Sequence, residues 1–294
     1  MTPNRPLGYA LLASGMAVVG SYVALSKPLT AAMPVLLLAW FRFAIAAVVM
    51  LPWTVARDTN GQWIGPRAWA ALFAQSFFGN FLFSIFMLNG VAMTSASAAG
   101  VILAMLPAAV ALLSWGLLRE RLTGKGWLAI GLAISGVAIL SVGRAPSGAS
   151  GDWSLLGNLL VLACVFCEAI YVVIGKRLTA TLSAMRISAL INLFGLALMT
   201  PFGLWQAQDF DFGSLSPGIW SLLVFYAIAA SMLSTWLWLS GLKHVPASHS
   251  GVFTIAMPLA ASAVAVGALG ETFTTAHAIA LACAAAGVVL ITRR

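Results

Sequence analysis

Two charged residues, Arg42 and Glu168, lie inside long apolar runs. A charge at the centre of a membrane helix costs about 2.5 to 3.5 kcal/mol on insertion scales, so each must face a cavity or a partner. Counted inward from one membrane face, Arg42 is about 8 residues deep and Glu168 about 13, a mismatch near 8 Å at 1.5 Å per residue. A direct pair therefore requires Arg42 to extend. Two readings follow: an ion pair that fixes packing, or charges at the substrate or proton site, with Glu168 as the candidate proton carrier. A second constellation is a polar stripe. Ser76, Asn80, Ser84 and Met87 recur at spacings of four, four and three, which places them on one helical face. At an offset of 151 residues, Asn80, Ser84 and Met87 fall on Ser231, Thr235 and Trp238. Such stripes either line a cavity or bond to packed helices, at about 0.6 kcal/mol per bond; their recurrence predicts that both line one substrate cavity.

The remaining reactive side chains point away from catalysis. His244 adjoins Lys243 and His277 begins the last apolar run, which suits solvated or interfacial groups. His249 is the candidate functional histidine, because an imidazole changes charge near neutral pH. His244 and His249 are five apart and lack the i, i+4 spacing of a metalloprotease helix. Cys164 and Cys167 form C-x-x-C inside an apolar run, without the strand-to-helix setting of a redox motif. The chain offers no metal-ligand cluster, Ser-His-Asp set or phosphate-cradling loop, so neither an enzyme nor a metal or other cofactor is expected.

The elements that position these residues follow from composition. Of 294 residues, 62% are hydrophobic and 7% charged, against roughly 25% charged in soluble domains. Lipid must be most of the solvent. The net charge of +8 does not imply nucleic acid, because the basic residues sit between apolar runs rather than among exposed aromatics. At about 20 residues per crossing, the chain allows about ten helices. The runs are Leu7 to Ser26, Pro34 to Trp53, Arg67 to Asn89, Ser95 to Leu118 and Gly126 to Gly143. The second set is Leu155 to Gly175, Thr181 to Trp205, Pro217 to Gly241, Pro246 to Leu269 and Thr274 to Thr292. The first run is long for a signal peptide and is read as a retained helix.

Placing cations on these ten spans puts most of them on one side, including Arg5, Arg67, Arg119, Lys176, Arg177 and Arg294, and only Lys27 and Arg144 on the other. Cationic loops stay cytoplasmic, so both termini are predicted to be cytoplasmic. The 151-residue offset also pairs Gly100, Pro107, Gly116 and Glu120 with Gly251, Pro258, Gly267 and Glu271, and an offset of 149 pairs Tyr22 and Lys27 with Tyr171 and Lys176. The fold class is thus an all-α integral membrane protein of ten transmembrane helices, built as two inverted five-helix repeats over residues 1–145 and 154–294. An odd helix count inverts the second repeat, an architecture suited to alternating access. Pro107 and Pro258 interrupt corresponding helices and are candidate hinges.

The segments "LLRERLTGKGWLAIGLAISGV" and "ALGETFTTAHAIALACAAAGV", with "WFRF" around Arg42, resemble the two EamA repeats of the drug/metabolite transporter superfamily, over essentially the whole chain. Within it the chain is similar to YddG-type aromatic amino acid exporters of the bacterial inner membrane. The resemblance implies a central cavity formed chiefly by the third, fourth, eighth and ninth helices. It also implies export of amino acids and related metabolites. The expected partners are a small-molecule substrate and the lipid bilayer, with no nucleic acid. An exporter of amphipathic drugs is the alternative; a channel or an intramembrane enzyme would be a different class.

Overall fold

The computed structural model describes residues 4–25, 27–55, 64–93, 102–103, 105–120, 123–142, 153–257, 259–260, 263–264 and 275–292. Every regular element among them is helical. The first half contains α1 (Arg5–Leu25), α2 (Lys27–Ala32), α3 (Val35–Val49), α4 (Leu51–Val55), α5 (Pro66–Ser76), α6 (Phe83–Met93), α7 (Leu106–Leu118) and α8 (Gly124–Val142). The second contains α9 (Trp153–Leu178), α10 (Ala184–Ala207), α11 (Pro217–Ala227), α12 (Ser234–Leu242), α13 (Ala247–Ser250) and α14 (Thr275–Thr292).

The helices begin where the sequence supplies start signals. Pro66 and Pro217 occupy the first turns of α5 and α11, where a missing backbone donor costs nothing. Ser183 and Ser216 cap α10 and α11 by accepting from the amides of Arg186 and Ile219. The end of α7 is set by Arg119, which adopts a left-handed φ of 56°, while the Glu120 amide donates back to the Ser114 carbonyl at 3.2 Å. The Arg119 amide bonds the same carbonyl, so the left-handed residue closes the last turn and stops the helix.

Two helices carry a change of winding that hydropathy does not reveal. A π-helical turn at Phe77–Leu82 joins α5 to α6, and another at Ile228–Leu233 joins α11 to α12. Positions 77 and 82 correspond to 228 and 233 at the same 151-residue offset. Each π-turn holds one more residue than an α-turn and redirects the side chains around it, commonly at functional sites.

Among the described residues, four apolar stretches are long enough to cross a bilayer: Pro66–Met87, Leu155–Leu178, Ala184–Ala207 and Pro217–Leu242. Val35–Val49 and Leu106–Leu118 are shorter apolar helices. Large side chains point outward, with Val48 75%, Trp115 64% and Trp205 64% exposed. Apolar groups of that size facing outward suit lipid, not water. Inside, α3 packs on α10, α6 on α9, α1 on α12 and α8 on α14. An aromatic ladder fastens α5 and its π-turn to α10: Phe73, Phe77 and Phe81 stack at 5.8–5.9 Å, and Phe194 and Phe202 meet Phe73 and Phe81 at 5.6 Å.

The helix bounds refine the expected runs. The second ends early: Met50 follows α3 before the short α4. The ninth begins as α13 and continues as a 3₁₀ segment, Gly251–Ile255. Pro258 lies outside the described residues, as do Arg144, Glu271 and Arg294.

Candidate functional site

A cavity of about 570 Å³ runs between α1, α3, α6, α7, α9 and α12. Its walls take the C-terminal half of α1 (Met16, Val19, Tyr22), the first part of α3 (Val35 to Arg42) and the segment Gly79 to Met87. These are the halves remote from the end of the bundle where Arg5, Glu120 and Lys176 lie.

At that other end, charged side chains bridge between helices by bonding to backbone. The Glu120 carboxylate accepts from the amides of Ala247 and Ser248 at 3.0 and 2.8 Å, capping α13 with a negative charge at a helix start. Lys176 donates to the carbonyls of Leu242 and Val245, and Arg177 to that of Leu117. The left-handed turn at Arg119 redirects the chain after α7, so that Glu120 reaches a helix of the other half.

Of the residues singled out in the sequence, Asn80, Ser84, Met87, Thr235, Trp238, Arg42, Glu168 and Pro107 all line the cavity. Asn80 donates to the Ser76 hydroxyl at 3.2 Å and to the Ile191 carbonyl at 3.3 Å, and Ser84 donates to the Asn80 carbonyl at 2.6 Å. The stripe thus bonds to α10 as well as facing the cavity. Ser231 is placed elsewhere: it is buried against α10, and its carbonyl accepts from Ser188 and Asn192, each at 2.9 Å. A short side chain inside a π-turn packed on α10 does not reach the cavity. His249 also stands apart, on α13, with Glu120 and Arg5 as the charges acting on it.

Pro107 sits in the first turn of α7, against Gly251. A Cβ on Gly251 would lie 2.8 Å from Pro107 Cα, so only glycine permits this crossing.

Arg42 and Glu168 do not pair: no nitrogen–oxygen contact within 4.0 Å joins them. The Arg42 guanidinium lies 4.3 Å from the centroid of the Phe43 ring, a cation–π arrangement. Phe43 is in turn held by Gly195, where a Cβ would lie 2.9 Å from the ring.

Tyrosines that hydropathy overlooked complete the lining. Tyr22 lies beside Ser234 and Tyr171 beside Thr235, and both rings are within electrostatic reach of Arg42 and Glu168. Tyr226 meets Tyr22 edge-on at 5.3 Å. A signal was present in the sequence, since Tyr22 and Tyr171 coincide at the 149-residue offset. Gly79 makes room for Tyr171, because a Cβ there would lie 2.3 Å from its Cδ2. Cys164 and Cys167 are free thiols, and Cys164 donates weakly to the Phe83 carbonyl at 3.5 Å. Among the described residues no group of three metal-ligating side chains occurs.

The helical bundle thus presents apolar walls outward and encloses a partly polar cavity. The chain belongs to the EamA-like transporter family, whose model matches residues 6–142 and 155–293. It is similar to the "Uncharacterized transporter YetK" of Bacillus subtilis (strain 168), at 35% identity over 280 residues, covering 95% of this chain and 85% of that protein. An uncharacterized transporter of Haemophilus influenzae is 35% identical over 141 residues, covering 48% of this chain and 82% of that protein. A solved crystal structure shares the fold, with a TM-score of 0.80 over 98% of this chain and 97% of the other, at 21% identity. The protein is therefore a multi-pass membrane transporter of a small-molecule substrate, and not an enzyme.

Proposed function

We propose that the protein exports amino acids, aromatic ones among them, and related small metabolites across the bacterial inner membrane by alternating access. The observation that carries this reading is the composition of the cavity. One cation, one anion, an amide, hydroxyls and the rings of Tyr22, Tyr171, Tyr226 and Trp238 all line the same space. Such a lining suits a small solute that combines polar ends with an apolar or planar side chain.

Ten membrane helices in two inverted repeats, residues 1–145 and 154–294 with both termini cytoplasmic, supply the mechanism in this reading. Three features support the duplication. The π-turns coincide at the 151-residue offset. At that offset α8 falls on α14, α3 on α10 and α6 on α12, while α1 falls on α9 at 149. Applying the correspondence to the packing exchanges α6–α9 with α12–α1 and returns α3–α10 and α8–α14 to themselves, as a two-fold relation requires. The cavity is then one of two alternating states, the one closed at the Glu120 end, and Asn80, Ser84, Met87, Thr235 and Trp238 contact substrate. Pro107 and Pro258 are hinges in this scheme, and Ser231 and His249 act from outside the lining.

Uptake of a panel of radiolabelled amino acids into proteoliposomes tests the reading. Saturable flux of at least one amino acid above empty liposomes is expected; no flux of any of them overturns it, and flux of amphipathic drugs alone would establish the alternative.

A further inference from the structure

We infer that Arg42 and Glu168 form a split receptor for a zwitterion, with the Arg42 guanidinium taking the substrate carboxylate and Glu168 taking its ammonium group. The inference rests on the amino-acid reading above and assigns the two groups that would enforce it.

The starting point is that these two opposite charges share a largely apolar cavity and yet stay apart. Neither makes a hydrogen bond to a described residue, and they are not within 4.0 Å of each other. Isolated charges at membrane depth are costly, and a direct pair would relieve both at once. The structure holds them separate instead. Arg42 is seated on the Phe43 ring at 4.3 Å, a contact that fixes the guanidinium without using its fork of N–H donors. Those donors match a carboxylate in geometry. Glu168 is carried by a different helix, α9, one turn from Tyr171, and Tyr171 and Tyr22 lie within electrostatic reach of both charges. The tyrosine rings thus border the space that spans the two charged groups.

A ligand must satisfy both ends to relieve both costs. A free amine neutralises Glu168 and leaves Arg42 without a partner; a free carboxylic acid does the reverse. A zwitterion brings both partners and adds no net charge to the cavity. Discrimination of this kind comes from leaving a buried group unpaired, which costs more than a made bond contributes. It gives the chain a means of excluding amphipathic cations that hydrophobic lining alone would admit.

The test compares ligands that differ by one charged group. Competition against labelled phenylalanine in proteoliposomes uses phenylalanine, phenethylamine and 3-phenylpropionate; a second set against labelled alanine uses alanine, ethylamine and propionate. In the unmutated protein each amino acid should compete about tenfold or more better than either analogue, the scale of one lost charge-assisted hydrogen bond. In Arg42→Gln the preference over the amine should vanish while that over the acid remains; Glu168→Gln should show the opposite pattern. Arg42→Lys, which keeps the charge, should keep the ranking. Ranking among ligands is unaffected by the amount of folded protein, and the unmutated ranking decides the matter even where a variant fails to insert. Amino-acid flux with equally effective amine and acid competitors overturns the split receptor and leaves the transporter reading intact. Variants that retain the unmutated ranking overturn it too. Absence of flux for every amino acid overturns both.

Discussion

Gly251 rests directly on Pro107: a single added carbon at Gly251 would lie 2.8 Å from the proline Cα and 3.3 Å from its carbonyl oxygen. The contact joins the 3₁₀ segment after α13 to the first turn of α7. Backbone atoms cannot move aside as the end of a flexible side chain can, so the crossing tolerates no larger residue.

Gly251→Ala is accordingly expected to cost about 1 to 3 kcal/mol by overpacking and to slow transport. Gly116→Ala is the control, since Gly116 is exposed on α7 with nothing within 4 Å of the added carbon. Thermal denaturation of the two purified variants in detergent checks the difference.

Gly79→Ala should act on the cavity instead. Its Cβ would overlap the Tyr171 ring at 2.3 Å and displace it from its place in the cavity lining. A several-fold rise in apparent KM is expected, on the order of 1 kcal/mol, and concentration-dependent uptake measures it.

The contribution of Glu120 is separable from substrate binding, because it lies outside the cavity lining. Glu120→Ala removes the acceptor for two amides of α13, a capping loss of about 0.5 to 2 kcal/mol. Lower thermal stability is expected, together with faster labelling of Ser248→Cys by a maleimide in the Glu120→Ala background. Unchanged labelling would show that the contact does not hold the Glu120 end closed.

Glu168→Gln is expected to abolish any dependence of transport on an imposed pH gradient, if the carboxyl group carries the proton. The groups around it are Arg42, Tyr22, Tyr171, Cys164 and Cys167. Flux measured with and without the gradient in both proteins checks this, and a dependence that survives the substitution assigns coupling elsewhere.

Much of this arrangement was legible in the sequence because lipid solvent simplifies the code. Charge is so scarce that Arg42 and Glu168 were conspicuous, and the helical period alone grouped Asn80, Ser84 and Met87. Of the Gly and Pro positions marked by the 151-residue offset, Gly251 and Pro107 acquired a physical cause only in three dimensions, where Gly251 is the residue that Pro107 permits. The π-turns were not legible, since one extra residue in a turn leaves apolar content unchanged. The match between Asn80 and Ser231 was incomplete because of side-chain length: both sit fourth in their π-turns, yet Asn80 has the reach to bond α10 and still border the cavity, whereas Ser231 does not. Tyr22 and Tyr171 were visible only as a repeated pair, because tyrosine in an apolar run carries no sign of which way its hydroxyl points. Glu120 was likewise a repeat marker, and its capping of α13 depends on a left-handed Arg119 that no sequence rule demands.

Counterflow tests the central claim most directly. Proteoliposomes loaded with an unlabelled amino acid and diluted into a trace of the labelled form should accumulate label transiently above equilibrium, and Trp238→Ala should weaken that overshoot. Label that only equilibrates, at a rate linear in concentration and unaffected by the internal amino acid, would contradict alternating access through this cavity and indicate a channel.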